Sequence, residues 1–261
     1  MADINEFPYR LDTLHPSPVD HRDWKYSEKS NTMCDIVAKE LPASLDLRPN
    51  MPPPRDQGKE GACAAFASAS MREWQERAVF LSYFSPAFVY LNRPDRTIPG
   101  MNLRDVMNIL LKKGICPEGD CPYGQTEISA TATNNALKHV ITGYAAVFAL
   151  DELKTALNTD GPCVIVFPVY KYDNQFWKAA TREQQPIGYH AVTVCGYDTY
   201  GFIIRNSWGP NWNNGGYTTY SYADWGAHLE IWSSVSLSPK PEPKTEPEPN
   251  KNLVKRCCVV M

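Results

Sequence analysis

The sequence predicts an α+β fold in two lobes, one helical and one an antiparallel, β-barrel-like sheet. Two observations carry this. Before about residue 160 the apolar residues recur with a helical period, and after it they fall in short β-branched and aromatic runs separated by Gly, Asn, Asp and Pro. Helices segregated from strands along a chain indicate α+β architecture. A third observation sets the scale. With 261 residues, 43% hydrophobic and 21% charged, the chain suits a single soluble domain with a sizeable core, or a two-lobed one. A cleft between two lobes is a common seat for an active site.

The elements follow in chain order. Residues 1–42 form a polar extension centred on HPSPVDHRDWKYSEKSN, with prolines, single hydrophobics and no sustained period. It is expected to drape over the domain; the alternative is a segment that occupies a cleft and regulates access. Residues 43–238 hold the globular part. From Ala62 to about Phe80 there is no Gly or Pro and small residues dominate, which predicts a helix buried on most sides. LRDVMNILLKKG places Leu103, Val106, Met107, Leu110 and Leu111 on one helical face and closes with two lysines and Gly114. LDELKTALNTDGP repeats that logic. CVIVFPVY, YHAVTVCGY, GFIIRNSW, GYTTYSY and LEIWSSVSL then read as strands. Residues 239–261 begin with PKPEPKTEPEPN, which alternates proline with charge and reads as an extended spacer.

Composition removes several function classes. A net charge of −3 gives no nucleic-acid footprint. No window approaches the length of an apolar membrane span. The start, MADINEFPYRL, has neither a basic n-region nor an apolar h-region, so a cytosolic, reducing setting with free thiols is expected. The eight cysteines show no zinc-type pair of pairs; Cys116 and Cys121 lack a matching second pair. No metal and no cofactor are expected.

The stretch DQGKEGACAAFASAS raises the question of chemistry. Cys63 follows Gly58 and Gly61 and opens the alanine-rich helix. A thiol attacks an acyl carbon as the thiolate, which a helix N-terminus and a nearby imidazolium favour. Free Cys is also among the most buried residue types, so packing is the plain alternative. Of five histidines, His15 and His21 lie in the extension and no motif surrounds His139 or His228. His190 sits at the start of a strand in PIGYHAVTVCGYD. Asn206 ends the next strand in IIRNSWGPNWNNGGY, and the short turn CGYDTYGF predicts that a hairpin brings the two together. An asparagine there can orient the imidazole.

These residues resemble the papain family of cysteine peptidases, in the style of microbial and viral members without a long propeptide. Gly61-Ala62-Cys63 matches the centre of the family signature, and His190 and Asn206 follow 127 and 143 residues later. The family's oxyanion glutamine matches Gln57, and its Asn-Ser-Trp-Gly motif matches Asn206 to Gly209, with Trp212 beyond. LPASLDLRP, SPAFVYLN and GICPEGDCPY are also similar to family segments, so the likeness runs from about Leu41 to Val235. The resemblance implies hydrolysis of peptide bonds by a Cys63–His190 pair, with Asn206 orienting His190, Trp208 shielding that bond and Gln57 holding the oxyanion. It puts Gly100, Met101 and Trp208 on the substrate side, with an S2 pocket guessed near Ala227 to Glu230. Two positions depart. The usual aromatic after the nucleophile is Ala64, and the usual disulfide cysteine three residues before it is Glu60. Acyl transfer of the transglutaminase kind and a non-catalytic peptide-binding module are the alternative functions.

The last residues add one expectation. Cys258-Val259-Val260-Met261 fits a C-a-a-X prenylation box, Cys257 is available for palmitoylation, and Lys251, Lys255 and Arg256 lie just upstream. A peptidase tethered at the cytosolic face of a membrane, in a eukaryotic or infected host cell, is the implied setting. The oligomeric state is not legible.

Overall fold

The computed structural model describes residue 11 and residues 16–31, 41–78 and 82–235. Its elements are α1 (Tyr26–Asn31), β1 (Leu45–Asp46), α2 (Cys63–Gln75), α3 (Pro86–Leu91), α4 (Leu103–Lys112), α5 (Ala130–Ala136), β2 (Tyr144–Ala146), α6 (Leu150–Thr159), β3 (Cys163–Val169), β4 (Gly188–Tyr197), β5 (Gly201–Arg205), β6 (Tyr217–Ser221) and β7 (Glu230–Ser234). The helix-to-strand switch read from the sequence is therefore real, with α6 as the last helix. The strands pair antiparallel in the order β2-β7-β3-β4-β5-β6, with β1 beside β4. Among the described residues β2 and β6 do not pair, so the sheet is an open path and not a closed ring.

Alternation along the strands divides the interior in two. Successive side chains of a strand point to opposite faces. Val164 and Val166 of β3, Ala191 of β4 and Trp232 of β7 face one core, shared with α2 and α4. Cys163, Ile165, Phe167 and Val169 face the other, with Val192, Val194, Phe202, Tyr220, Trp208 and the apolar side of α6. Every residue of β3 is buried, which is why that segment reads as an unbroken apolar run.

Helix α2 is shorter than the composition suggests. It stops at Gln75, not near Phe80. No Gly or Pro breaks it. Arg77 caps its end, folding back over the Trp74 ring at 3.5 Å and donating from Nη1 to the Trp74 carbonyl, one of the last carbonyls of the helix. Its alanines serve close approach: Thr193 Oγ1 on β4 donates to the Ala67 carbonyl at 3.0 Å. Helix α4 starts where Asn102 accepts from the Asp105 N–H at 2.9 Å and buries Leu103, Val106, Met107, Ile109 and Leu110, whereas Leu111 is only half-buried.

The extension is not wholly irregular. Tyr26 opens the short helix α1, is buried in the second core, and donates from its hydroxyl to Asp160 at 2.7 Å. Lys25 bridges Ala146, and the Ala146 N–H donates to the Trp24 carbonyl. The Arg104 guanidinium holds Asp23, and the Ser17 N–H donates to Glu230 Oε1 at 3.2 Å. A single tyrosine anchor is too sparse a signal for periodicity to reveal. Residues 239–261 lie outside the described residues.

Candidate active site

The site forms where the first turn of α2 meets β4. Cys63 is the first residue of α2 and is fully buried. The residue before it, Ala62, has no side chain that can cap, so the first-turn N–H groups, including that of Cys63, keep the partial positive charge of the helix end for whatever anion lies there. The Cys63 sulfur accepts a hydrogen bond from the Ala191 N–H at 3.4 Å. That donor belongs to the residue after His190, so the contact brings the sulfur to the histidine's place on β4. Both features stabilise a negative sulfur.

His190 and Asn206 meet as the hairpin predicts, by a route the sequence did not show. The β4–β5 ladder pairs Thr193 with Arg205 and Val194 with Ile204. Carried three residues further, that register sets His190 across from Trp208, and the two rings stack at 4.5 Å with 19° between their planes. Asn206 reaches His190 diagonally, with Oδ1 at 2.7 Å from Nε2. The same Oδ1 accepts from the Ser207 N–H at 2.8 Å, which identifies it as the carbonyl oxygen. Nε2 therefore carries the proton it donates, and the basic nitrogen is Nδ1.

His190 is fully buried, and burial pulls its pKa down to about 4 against a smaller opposing effect of the Asn206 bond. A lone imidazolium is costly there. A neighbouring negative charge would offset that cost. Trp208 is only 1% exposed, with Phe176, Tyr172 and Trp212 around its ring. Its ring lies against His190 and the core.

Gln57 is fixed from four directions. Its N–H donates to the Ser207 carbonyl at 2.9 Å, its Oε1 accepts from Ser207 Oγ at 2.6 Å, its Nε2 donates to the Glu60 carbonyl at 3.0 Å, and its carbonyl accepts from Tyr123 Oη at 2.8 Å. Behind it, Arg55 pairs with the buried Glu73 of α2 at 2.8 Å, and Arg205, one residue before Asn206, lies 4.0 Å from the same carboxylate. Burial pushes the Glu73 carboxyl above the ordinary range despite both arginines. Helix α2 thus ties together the segments that carry Gln57 and Asn206. Neither Tyr123 nor Ser207 stood out in the sequence as an orienting residue; the only signal was their place inside GICPEGDCPY and the Asn-Ser-Trp-Gly run.

The remaining residues are placed as follows. Gly100 has φ +97°, and its N–H lies so close to Gly61 that a Cβ on Gly61 would sit 3.1 Å from it. The Gly100 backbone therefore flanks the nucleophile loop. Met101 is buried in the same core cluster as Cys63. Glu230 lines a cavity of about 520 Å³ together with Ser17, Asp23, Arg104 and Trp232, so this part of the final strand is covered by the extension. Cys257 and Cys258 lie outside the described residues. Among the described residues no cluster of His, Cys, Asp and Glu is arranged to hold a metal ion, and no helix is long and apolar enough to cross a membrane.

Residues 41–236 match the model of the papain family cysteine protease. The chain is 31% identical over 211 residues to cathepsin B-like CP3 of Giardia intestinalis, covering 70% of each chain, and 30% identical over 206 residues to cathepsin B-like CP2 of the same organism, covering 68% of each. Among solved structures it is similar to xylellain, a cysteine protease from Xylella fastidiosa, with a TM-score of 0.72 at 27% identity over 88% of this chain and 99% of that one. Digestive procathepsin L 3 of Tenebrio molitor shares the fold at a TM-score of 0.62 and 20% identity, over 75% of this chain and 70% of that one.

Proposed function

The chain belongs to the papain family of cysteine proteases and is a cysteine peptidase acting on peptide or protein substrates, and we propose that Cys63, His190, Asn206 and Gln57 carry the hydrolysis. The observation that supports this most directly is the Asn206 carbonyl bonded to His190 Nε2, because it leaves Nδ1 as the base.

The Cys63 proton passes to His190 Nδ1, and the thiolate attacks the substrate carbonyl carbon. The carbonyl π electrons move to oxygen, which the Cys63 N–H and the second N–H of Gln57 Nε2 hold; one such donor is worth about 3–4 kcal/mol in another protease. The imidazolium then protonates the leaving amine as the C–N bond breaks, giving a thioester on Cys63. His190 next takes a proton from water, the hydroxide attacks the thioester, and the carboxylic acid leaves as the thiolate re-forms. Asn206 keeps the ring in plane throughout, and Trp208 keeps water from the Asn206 bond. Cys63→Ala tests the assignment: hydrolysis of a peptide anilide should fall by orders of magnitude with the thermal transition intact. Turnover near that of the wild type by folded Cys63→Ala would overturn it. Adding a primary amine to the same assay separates hydrolysis from acyl transfer, since a peptidase loses little product to the amine.

The C-terminal residues support a second part of this reading. Cys258 to Met261 form a C-a-a-X box after a basic cluster and a proline-rich spacer. Twelve spacer residues, extended at about 3.1 Å each, reach roughly 35 Å. A farnesyl group on Cys258, with Cys257 or the basic residues as the second signal, would hold the peptidase at the cytosolic face of a membrane. The intact mass of the protein from eukaryotic cells reads both the last residue and the lipid. An added prenyl mass, with release to the cytosol in Cys258→Ser, supports tethering; an unmodified C-terminus refutes it.

A further inference from the structure

We infer that Tyr123 is a positioning residue for the oxyanion hole, acting through Gln57. The inference rests on Gln57 serving the oxyanion, and it goes beyond the four residues assigned above. Tyr123 comes from the loop between α4 and α5, far in sequence from any residue of the site. Its hydroxyl donates to the Gln57 carbonyl at 2.8 Å. Its ring packs edge-on against Phe66, one turn into α2 from Cys63, with centroids 4.7 Å apart and planes at 84°. Its own N–H donates to Glu118 Oε1 at 2.8 Å, and Glu118 pairs through Oε2 with Arg55, two residues before Gln57. The phenol is therefore held at its ring, its backbone and its oxygen, and each hold leads back to the loop that carries Gln57 or to the helix that carries Cys63.

The need for such a prop follows from the loop itself. The Gln57 side chain is fixed at Oε1 by Ser207 and at Nε2 by the Glu60 carbonyl. Those bonds set the amide plane relative to the main chain of residues 57–60, but they set the direction of the remaining N–H only if that main chain is itself fixed. Gly58 follows at φ +58°, and its N–H donates to Asp56 Oδ1 at 2.8 Å, which holds that peptide unit on its nitrogen side. The Tyr123 bond holds the same peptide unit on its carbonyl side. Burial, the charge of Glu60 and a hydrogen bond to the Glu60 side chain, which belongs to the same loop as Gln57, raise the Tyr123 phenol above its ordinary pKa, so the hydroxyl stays a donor across the working pH range.

Tyr123→Phe keeps the ring against Phe66 and removes only the donor. The test compares two reactions of the full chain. Hydrolysis of a peptide anilide builds an oxyanion, whereas alkylation of Cys63 by iodoacetamide displaces iodide and builds none. The expected result is a fall of about five- to tenfold in kcat for the anilide, with KM within twofold, and alkylation at the same pH within twofold of wild type. In a Gln57→Ala background, which alone should slow hydrolysis, the same substitution should cost less than twofold. Hydrolysis unchanged in Tyr123→Phe while Gln57→Ala slows it would overturn the inference and leave the role of Gln57 standing. Equal slowing of both reactions, or an undiminished effect without Gln57, would show that the hydroxyl supports the fold or the Cys63–His190 pair instead. If Gln57→Ala hydrolyses normally, the oxyanion assignment fails and the inference fails with it. A thermal transition measured on each variant separates loss of fold from loss of rate.

Discussion

Replacing Asn206 with alanine removes one oxygen that two buried donors use. Asn206 Oδ1 accepts from His190 Nε2 at 2.7 Å and from the Ser207 N–H at 2.8 Å, and the side chain is 2% exposed. In the working enzyme the first bond is made to an imidazolium. Hydrogen bonds to charged groups are worth about 1.5–3 kcal/mol, which at about 1.4 kcal/mol per decade is a loss of roughly 10- to 150-fold in kcat/KM. The ring keeps its stacking on Trp208, so catalysis falls without vanishing. Stability falls too, because two buried N–H groups lose their acceptor at about 1–3 kcal/mol each. At about 2–4 °C per kcal/mol for a domain of this size, Tm should drop by roughly 4–24 °C. The Asn206 bond is also the interaction that raises the His190 pKa against burial. Its loss should move the alkaline limb of the rate profile, where His190 gives up its proton, to lower pH. The assay is kcat/KM on a peptide anilide across pH, with calorimetry alongside. Activity within about threefold of wild type, on an unshifted limb, would refute the orienting role of Asn206.

Further outcomes are expected elsewhere. Trp208→Ala empties the space beside His190 and should cost about 3–5 kcal/mol of stability in denaturant titration, since the ring is only 1% exposed; a cost below about 1 kcal/mol would contradict its place in the core. Gly161, just past α6, has φ +98° with the Trp74 ring where a Cβ would go, so Gly161→Ala should lose more than about 2 kcal/mol by the same measurement. Burial holds the His228 pKa down at about 4, whereas the unfolded chain protonates near 6.5. Between those values the unfolded state binds more protons, so the contribution of His228 is whole above about pH 6.5 and is lost as pH falls toward 4. Wild type should therefore lose about 2 kcal/mol more than His228→Gln when unfolding is compared at pH 7 and pH 4.5, and parallel losses would refute this.

The longer helices and the strands β3 to β7 were legible because each depends on local pattern; the short α1, α3, α5 and β2 carry too few residues for one. The apolar face of α4 and the unbroken run of β3 are both written in residue spacing. The end of α2 was not, because Arg77 capping Trp74 is a side-chain event with no breaker residue to mark it. The proposed site residues stood out because Cys63, His190 and Asn206 lie in short motifs with a glycine-punctuated loop and a hairpin beside them. What holds them was hidden. Tyr123 reaches Gln57 across 66 residues, and Arg55 meets Glu73 and Glu118 from three separate segments. Contacts of that range leave no periodic trace in a single sequence. The shielding role read for Trp208 fits its stacking on His190, but only the β4–β5 register shows how the two rings come to face each other.

The central claim is that one thiol among eight is the nucleophile and that His190 activates it. A peptide bearing an electrophile, added in slight excess to the full chain at neutral pH, tests this directly when the adduct is counted by intact mass and located by tandem mass spectrometry. One adduct per chain, on Cys63, formed much faster than in His190→Ala and matched mole for mole by loss of hydrolysis, is the result this account predicts. Adducts spread over the other cysteines, or full hydrolysis after Cys63 is blocked, would contradict it.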